Sequence, residues 1–391
     1  MLTELAEDLV ASYGCTVTVV AGRALHGGAG AQAGGRREGG WRPVTRETRG
    51  GVRILRANGT LFGRRKFVGR AANYLTYFAS AMAASRQIGP QDVVVSLTDP
   101  PILGLAARAA ARRAGARFVF LCEDIFPEVA SLLEDFHNTT LNRTLDRINR
   151  SLVRDAAAIV ALGDRMKRRL VEEKGAPAGR VHVIHNWADC DAIVPGPKDN
   201  AFSRAHGLVD KFVVMHSGNV GLSQNLDLLI EAAGRLQSRE RLVIAIVGEG
   251  ARRAPLEAMA AARGLTNVRF FPYQPKELLH ESFAAADAFV VSLKPGLEGY
   301  IVPSKLYGIL AAGRPFVAAV DPSCEVATIA TQHDCGVVAP PGDPDGLVKA
   351  IASLVDDPAG ARRMGENARG ASRCYDRKVA VRAYHELFAG L

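Results

Sequence analysis

The feature that most limits how this chain can fold is an alternation. Short runs dense in Val, Ile, Leu, Phe and Ala recur along its length, separated by stretches whose apolar residues fall at helical spacing. "GVRILRA" (51–57), "DVVVSLTD" (92–99), "RFVFLCED" (117–124), "AAIVAL" (157–162) and "VHVIHNW" (181–187) read as strands, with helices at 67–85, 102–115, about 139–154 and 164–175. A second series runs "FVVMHSG" (212–218), "RLVIAIVG" (241–248), "VRFFP" (268–272), "AFVVSL" (288–293), "PFVAAV" (315–320) and "GVVAP" (336–340), again with helices between. Strands apolar on both faces need cover on both, and strand–helix alternation supplies it as a parallel sheet wrapped by helices. Between the series, "DCDAIVPGPKDN" has prolines and turn formers but no periodicity, so it reads as a linker. The expectation is an α/β chain of two Rossmann-like, doubly wound domains, 1–190 and 191–372, facing a cleft, with a last helical segment at 373–391. Ligands in such sheets bind at the carboxyl ends of the strands. One oddity is that the chain opens on a helix, "MLTELAEDLVASYG", where a doubly wound domain opens on a strand and a glycine turn; the first strand of the N-terminal domain is missing from the pattern.

Length agrees with two domains, because 391 residues exceed what one hydrophobic core holds. No apolar run reaches 18 residues, which argues against a transmembrane helix, and no secretory signal pattern opens the chain. The cysteines (Cys15, Cys122, Cys190, Cys324, Cys335, Cys374) are scattered without a C-x-x-C, which argues against a zinc site and for reduced thiols in a cytoplasmic setting. Residues 1–190 hold 27 Lys and Arg against 18 Asp and Glu, and residues 191–391 hold 22 of each, so the whole net charge of +9 sits in the first half. That asymmetry suggests a polyanionic partner, although a plain preference for Arg would also produce it. The basic run Arg64, Arg65, Lys66, with Arg70, precedes an amphipathic helix carrying Phe67, Tyr74 and Phe78, as a segment meeting an anionic membrane would. Residues 22–40 are glycine-rich, lack the G-x-G-x-x-G spacing and read as a loop.

Several places carry chemistry. In "MHSGNVGLSQN" a strand runs into Gly218, Asn219 and Gly221, with a helix starting near Asn225; glycines admit a ligand to the backbone and a helix start offers free N–H groups to phosphate. "VGEGARR" repeats the design with Gly248, Glu249, Gly250, Arg252 and Arg253. Tyr273 and Gln274, after a strand, could line a base pocket or form a plain surface turn. In "GLEGYIVPSKLYGILAAGRP" (296–315), Pro303 and Ser304 read as a helix entry and Lys305 falls in its first turn. A cation there opposes the helix dipole by about 0.3–1 kcal/mol unless an anion lies between, and a diphosphate is the natural anion. In the first half Asp124, beside Glu123 and near Glu128, could position or deprotonate a hydroxyl. Asp99 reads as a helix N-cap and His185 as structural.

Taken together, "SGNVGLSQNLDLLIEAA", "GEG", "EGYIVPSKLYGILAAGRP" and "CEDIFPE" resemble the retaining glycosyltransferases of family four, with the GT-B fold, in the bacterial exopolysaccharide and O-antigen branch of colanic-acid fucosyltransferase and N-acetylfucosamine transferase type. The resemblance implies a hexosyl-type transferase that retains anomeric configuration and uses neither metal nor other cofactor. It implies a nucleotide-sugar donor, UDP- or GDP-linked, in the C-terminal domain, and a polyprenyl-diphosphate-linked or glycan acceptor in the N-terminal domain, with the last helix crossing back. Glu298 and Gly299 would lie near the transferred sugar, with Lys305 and Arg252 on the diphosphate. The implied setting is cytoplasmic, peripheral on the inner face of the membrane, with no nucleic-acid partner. The chain departs from many members in having Asn219 and Gln224 where they carry arginine and lysine, and Gly308 where they carry a second glutamate. A nucleotide-sugar epimerase on the same fold, or a degenerate non-catalytic partner subunit, are the competing readings.

Overall fold

The computed structural model describes residues 1–22, 44–60, 62, 67–133 and 139–391. Arg64, Arg65 and Lys66, the glycine-rich stretch beyond residue 22, and the side chains of Phe67 and Arg70 lie outside the described residues.

The N-terminal half runs α1 (Leu2–Tyr13), β1 (Thr18–Ala21), β2 (Val44–Arg49), β3 (Val52–Ala57), α2 (Phe67–Ser85), β4 (Val93–Ser96), α3 (Leu103–Ala114), β5 (Arg117–Cys122), α4 (Glu128–Leu133), α5 (Thr139–Asp155), β6 (Ala158–Ala161), α6 (Asp164–Glu172) and β7 (Val181–Val183). Strands β4-β5-β6-β7 form one parallel sheet. A second, β1-β3-β2, pairs β1 with β3 in parallel and β3 with β2 as an antiparallel hairpin. No strand joins β1 to β4 among the described residues, and Val95 on β4 is left 41% exposed. The hairpin strand β2, "VTRETR", escaped the periodicity reading because its last four residues face water.

The C-terminal half runs α7 (Ala201–Ala205), β8 (Phe212–Ser217), α8 (Asp227–Arg235), β9 (Leu242–Val247), α9 (Arg253–Ala262), β10 (Val268–Phe271), α10 (Leu279–Ala284), β11 (Ala288–Ser292), α11 (Lys305–Ala311), β12 (Phe316–Ala319), α12 (Glu325–Gln332), β13 (Gly336–Ala339), α13 (Pro344–Asp356) and α14 (Pro358–Ser372). Its sheet is wholly parallel in the order β10-β9-β8-β11-β12-β13. The wrapping on both faces can be read residue by residue. Val213 and Met215 enter one core while Val214 enters the other; Val243 and Ala245 alternate likewise with Ile244 and Ile246. Strand order reverses between β8 and β11, so the crevice beyond their carboxyl ends is the place where such a sheet takes a ligand.

After α14 the chain returns to the N-terminal half. Helix α15 (Arg377–Ala389) buries Ala380, Val381 and Tyr384 in the core that holds Leu5, Leu9 and Phe118. Tyr384 meets Trp187 edge-on, and Arg377 donates to both carboxylate oxygens of Asp8 at 2.5 Å.

The loop carrying Asp124 is braced from below. Lys174, 2% exposed, donates to Glu128 and Asp146, each at 2.7 Å, which ties α4 to α5 behind α6. Glu128 is thereby a brace and not a cleft carboxylate. Burial would raise the Asp146 carboxyl, but Lys174 and Arg150 outweigh it and hold the group below its ordinary value. Its contribution to stability is therefore full above the unfolded value near 3.8 and is lost as pH falls through the lower folded one. Lys174→Met should cost about 2–3 kcal/mol near neutral pH, less than for wholly buried acids because both keep some solvent. The loss should shrink under acid, as read by urea melts across pH.

Candidate functional site

The site is assembled at the β8–β11 crevice from two glycine loops, the start of α11 and a segment of the other half. Strand β8 ends at Ser217, and the loop beyond it packs main chain to main chain on the loop after β9. Gly218 N donates to Val247 O at 2.9 Å, Val220 N to Glu249 O at 2.9 Å and Arg252 N to Val220 O at 3.0 Å. Gly248 holds φ +142, and a Cβ there would stand 1.9 Å from the Gly218 carbonyl oxygen; one on Gly250 would stand 2.2 Å from that of Val220. These two glycines serve the contact between loops, a reason for glycine that needs no ligand. Gly218 is different, since the open side of its Cα faces the Lys305 side chain at 3.8 Å.

Lys305 is the first residue of α11, behind Pro303 and Ser304. Ser304 holds the N-cap position with helical dihedrals and makes no side-chain cap. The helix is only seven residues long, so the case for Lys305 rests on its surroundings more than on a dipole. Its ammonium lies 3.2 and 3.4 Å from the two ring nitrogens of His216, itself wholly buried in β8. Burial pulls Lys305 down to about 7. His216 is held well below its ordinary value, first by burial and then by Lys305. Among the described residues no carboxylate forms an ion pair with Lys305. His216 was not singled out from the sequence, yet it is the one polar residue within the apolar run "FVVMH".

The N-terminal half meets the site at residues 297–301, a segment of the C-terminal half. Glu298 accepts from Arg169 of α6, at 2.7 Å on its carbonyl oxygen and 3.4 Å on its carboxylate. Arg169 also stacks on the Tyr300 ring at 3.8 Å and donates to Glu173 at 2.6 Å, which takes the Tyr300 hydroxyl at 2.9 Å. Gly299 has φ +76, and a Cβ there would press within 2.6 Å of Arg165 Cγ. Beyond it, Ile125 N donates to Tyr300 O at 2.9 Å and Asp124 bridges Ile301. Asp124 is thus brought to the segment that carries Glu298. Burial, then Glu123 and Asp99, push its carboxyl up to about 7. Glu123 is raised too, chiefly by burial. From α12, Glu325 accepts from Asp164 N at 3.4 Å across the same seam, and His185 lies 3.9 Å from it. His185 also meets Leu162 O at 3.0 Å.

Other residues singled out from sequence stand apart from this cluster. Arg252 is paired with Asp227 in the first turn of α8, so that helix start carries its own carboxylate and the arginine its own counter-charge. The expected helix at Asn225 is a short 3-10 turn, Leu222–Gln224, with Asn225 left-handed and α8 starting at Asp227. Glu249 is 60% exposed and paired with Arg253 at 3.0 Å. Tyr273 is 63% exposed, and Gln274 donates to Pro272 O at 3.0 Å, as in a surface turn. Asn219 offers its carbonyl to His216 at 3.4 Å, and Gly221 N donates to Gln224 at 2.9 Å. A Cβ on Gly308 would meet Phe283 at 3.1 Å and Ile193 at 3.8 Å. Among the described residues no cluster of His, Cys, Asp and Glu could hold a metal, and no helix is long and apolar enough to cross a membrane.

Comparison with known proteins agrees with this layout. Residues 199–371 match the family model of glycosyl transferases group 1, and residues 1–187 that of the glycosyl transferase 4-like domain. The chain is 29% identical over 269 residues to the glycosyltransferase WbjE of Pseudomonas aeruginosa, covering 68% of this chain and 66% of that one. It is 36% identical over 183 residues to WcaI of Escherichia coli, named for colanic acid biosynthesis, covering 46% and 45%. These alignments span less than two thirds of either relative. Among solved structures, Anabaena HepE in complex with UDP and glucose superposes with a TM-score of 0.73 at 17% identity, covering 100% of this chain and 95% of that one. WaaG, involved in lipopolysaccharide biosynthesis, superposes with 0.72 at 16%, covering 100% and 95%. At such identities the likeness is one of fold.

The loop-on-loop contact is open to test. Gly248→Ala must displace a carbonyl in the interior, so it should cost about 3 kcal/mol or more and lower the melting temperature by roughly 6 °C or more. Gly370→Ala, in α14 with nothing within 4 Å, should stabilise by about 0.4–1 kcal/mol and serves as the contrast. Differential scanning calorimetry reads both.

Proposed function

The chain belongs to the group 1 glycosyltransferases and has the GT-B fold, and from that premise we propose that it moves a hexosyl group from a nucleotide-sugar donor to a lipid-linked or polysaccharide acceptor in cell-surface polysaccharide assembly. The observation that carries this is Lys305: a buried cation without a carboxylate partner among the described residues, facing Gly218 at the switch point of a parallel sheet. An unpaired buried charge is costly, and a diphosphate beside it would remove the cost. A charge placed where the leaving diphosphate develops its own is what lowers the barrier to transfer. The names of WbjE, WcaI and WaaG support the polysaccharide setting, and the UDP complex of HepE supports UDP as the first donor base to try.

In this reading residues 191–372 bind the donor, 1–190 bind the acceptor, and 373–391 tie the two. Glu298 sits near the transferred sugar, oriented by Arg169. Asp124 receives the acceptor hydroxyl's proton, which it can do only when ionised, so transfer should rise with pH through about 7. Transfer proceeds with retention and without a metal, and the first half rests on the anionic inner face of the membrane.

A thermal-shift screen over UDP-, GDP- and dTDP-sugars identifies the donor, since a ligand of the folded state raises the melting temperature. Lys305→Ala should weaken nucleoside diphosphate binding about 10- to 100-fold, the worth of a charge-assisted bond. Unchanged affinity would sink the assignment. With donor and acceptor in hand, transfer should survive EDTA, and NMR of the product should show the donor's anomeric configuration. Failure of every nucleotide sugar to bind would favour a non-catalytic subunit instead.

A further inference from the structure

Lys305 and His216 are two basic groups in contact inside the protein. The ammonium nitrogen is 3.2 and 3.4 Å from the ring nitrogens, and His216 is 0% exposed. The imidazole also meets the Asn219 carbonyl at 3.4 Å. Two adjacent cations in so dry a place repel, and each would lack the solvent that stabilises charge. Main-chain groups of Asn219 and Val290 favour the charged imidazole but do not outweigh burial and Lys305. The glycine loop contributes the Asn219 carbonyl; its other polar residues Ser223 and Gln224 are not ionisable, and Gln224 is already bonded to Gly221 N. Strand β11 contributes the Val290 backbone. On α11 itself the next ionisable group, Tyr307, faces Glu325 and Tyr375. The carboxylates of the seam are engaged elsewhere, Glu298 with Arg169 and Glu325 with the start of α6.

We propose that Lys305 and His216 act as a proton-accepting pair, so that a nucleoside diphosphate entering beside Gly218 does so together with one proton from solvent. This rests on the reading of that loop as the donor site and adds what the site demands of its ligand: enough negative charge to hold a proton on the pair. His216 is then a positioning residue. As a neutral imidazole it accepts from the Lys305 ammonium and fixes where the charge sits, without touching the ligand. Burial already draws Lys305 to about 7 and keeps His216 neutral. Without an anion the pair is therefore largely uncharged at pH 8 and singly charged at pH 6. The sign follows: diphosphate affinity is level below about pH 7 and falls about tenfold per pH unit above it, until even the bound pair stays neutral.

Isothermal titration of the whole chain with UDP at pH 8, in buffers of different ionisation enthalpy, counts the protons. The terminal phosphate of UDP is fully ionised there, so uptake belongs to the protein. About one proton taken up per UDP is expected at pH 8, with uridine as a phosphate-free comparison that takes up none. Lys305→Met removes a buried charge and should melt no lower than the parent, so its expected loss of uptake and its 10- to 100-fold weaker binding are not unfolding. His216→Asn keeps a neutral acceptor beside the ammonium and leaves the burial that governs Lys305 in place, so uptake at pH 8 and UDP binding should both persist. UDP binding without proton uptake, or uptake that persists in Lys305→Met, overturns this inference alone. No binding by UDP, GDP or dTDP overturns the donor-site reading and this one with it.

Discussion

The structure turns on the segment Leu297–Ile301. It belongs to the C-terminal sheet by sequence, yet its contacts lie mostly in the other half: Arg169 and Arg165 of α6 on one side, Ile125 and Asp124 on the other. A side chain at 299 would force α6 away, and with it the arginine that holds Glu298. The only residue type that fits is glycine, both for its positive φ and for the 2.6 Å approach. Once this segment is seated, the carboxyl ends of the two parallel sheets face one another, and the α11 that follows four residues later must start against β8. The position of Lys305 is thus a consequence of how residue 299 packs.

The same seam explains why Asp124 and Lys305 are both pulled toward neutrality. Each sits where protein excludes water: burial alone draws Lys305 down, while burial and then the acids Glu123 and Asp99 push Asp124 up. Desolvation disfavours the charged form of either sign. The result is a cleft with a weakened acid toward the N-terminal half and a weakened base toward the C-terminal half, each able to change protonation near neutral pH. Structural ion pairs do the opposite, as Lys174 with Glu128 and Asp146 does when it holds Asp146 low.

How much of this could be read from the residues depends on whether the partner is near in sequence. The strand–helix alternation, the glycine loops and the helix at Lys305 are local patterns and were legible. Strand β2 was not, because an edge strand with charged residues outward has no apolar period. Gly248 was legible as a required glycine but not for its reason, since the atom it spares is the carbonyl of Gly218, thirty positions away. Arg169 lies 129 residues before Glu298 and carries no local mark. Tyr273 shows the converse limit: an aromatic after a strand left base pocket and surface turn both open, and the ring stands 63% exposed. His216 has a visible signal, a polar residue inside an apolar strand, but the strand alone does not show what it meets. Its partner here is another base.

That last point bears on how the site handles charge. Asn219 and Gln224 place neutral amides along the loop; the Gln224 amide accepts from Gly221 N, and the Asn219 main-chain carbonyl meets His216. Arg252, the nearest candidate to replace a missing cation, is bound to Asp227. An anion arriving by Gly218 would therefore meet a basic group that, among the described residues, no carboxylate has satisfied and that burial draws toward neutrality until the anion comes. Permanent cations on a loop attract any anion of fitting size. A lysine held neutral by burial discriminates by charge, because only a ligand negative enough to restore the proton regains the cost of burying it. In this chain an uncharged glycine loop and a buried basic pair beside it belong to one arrangement.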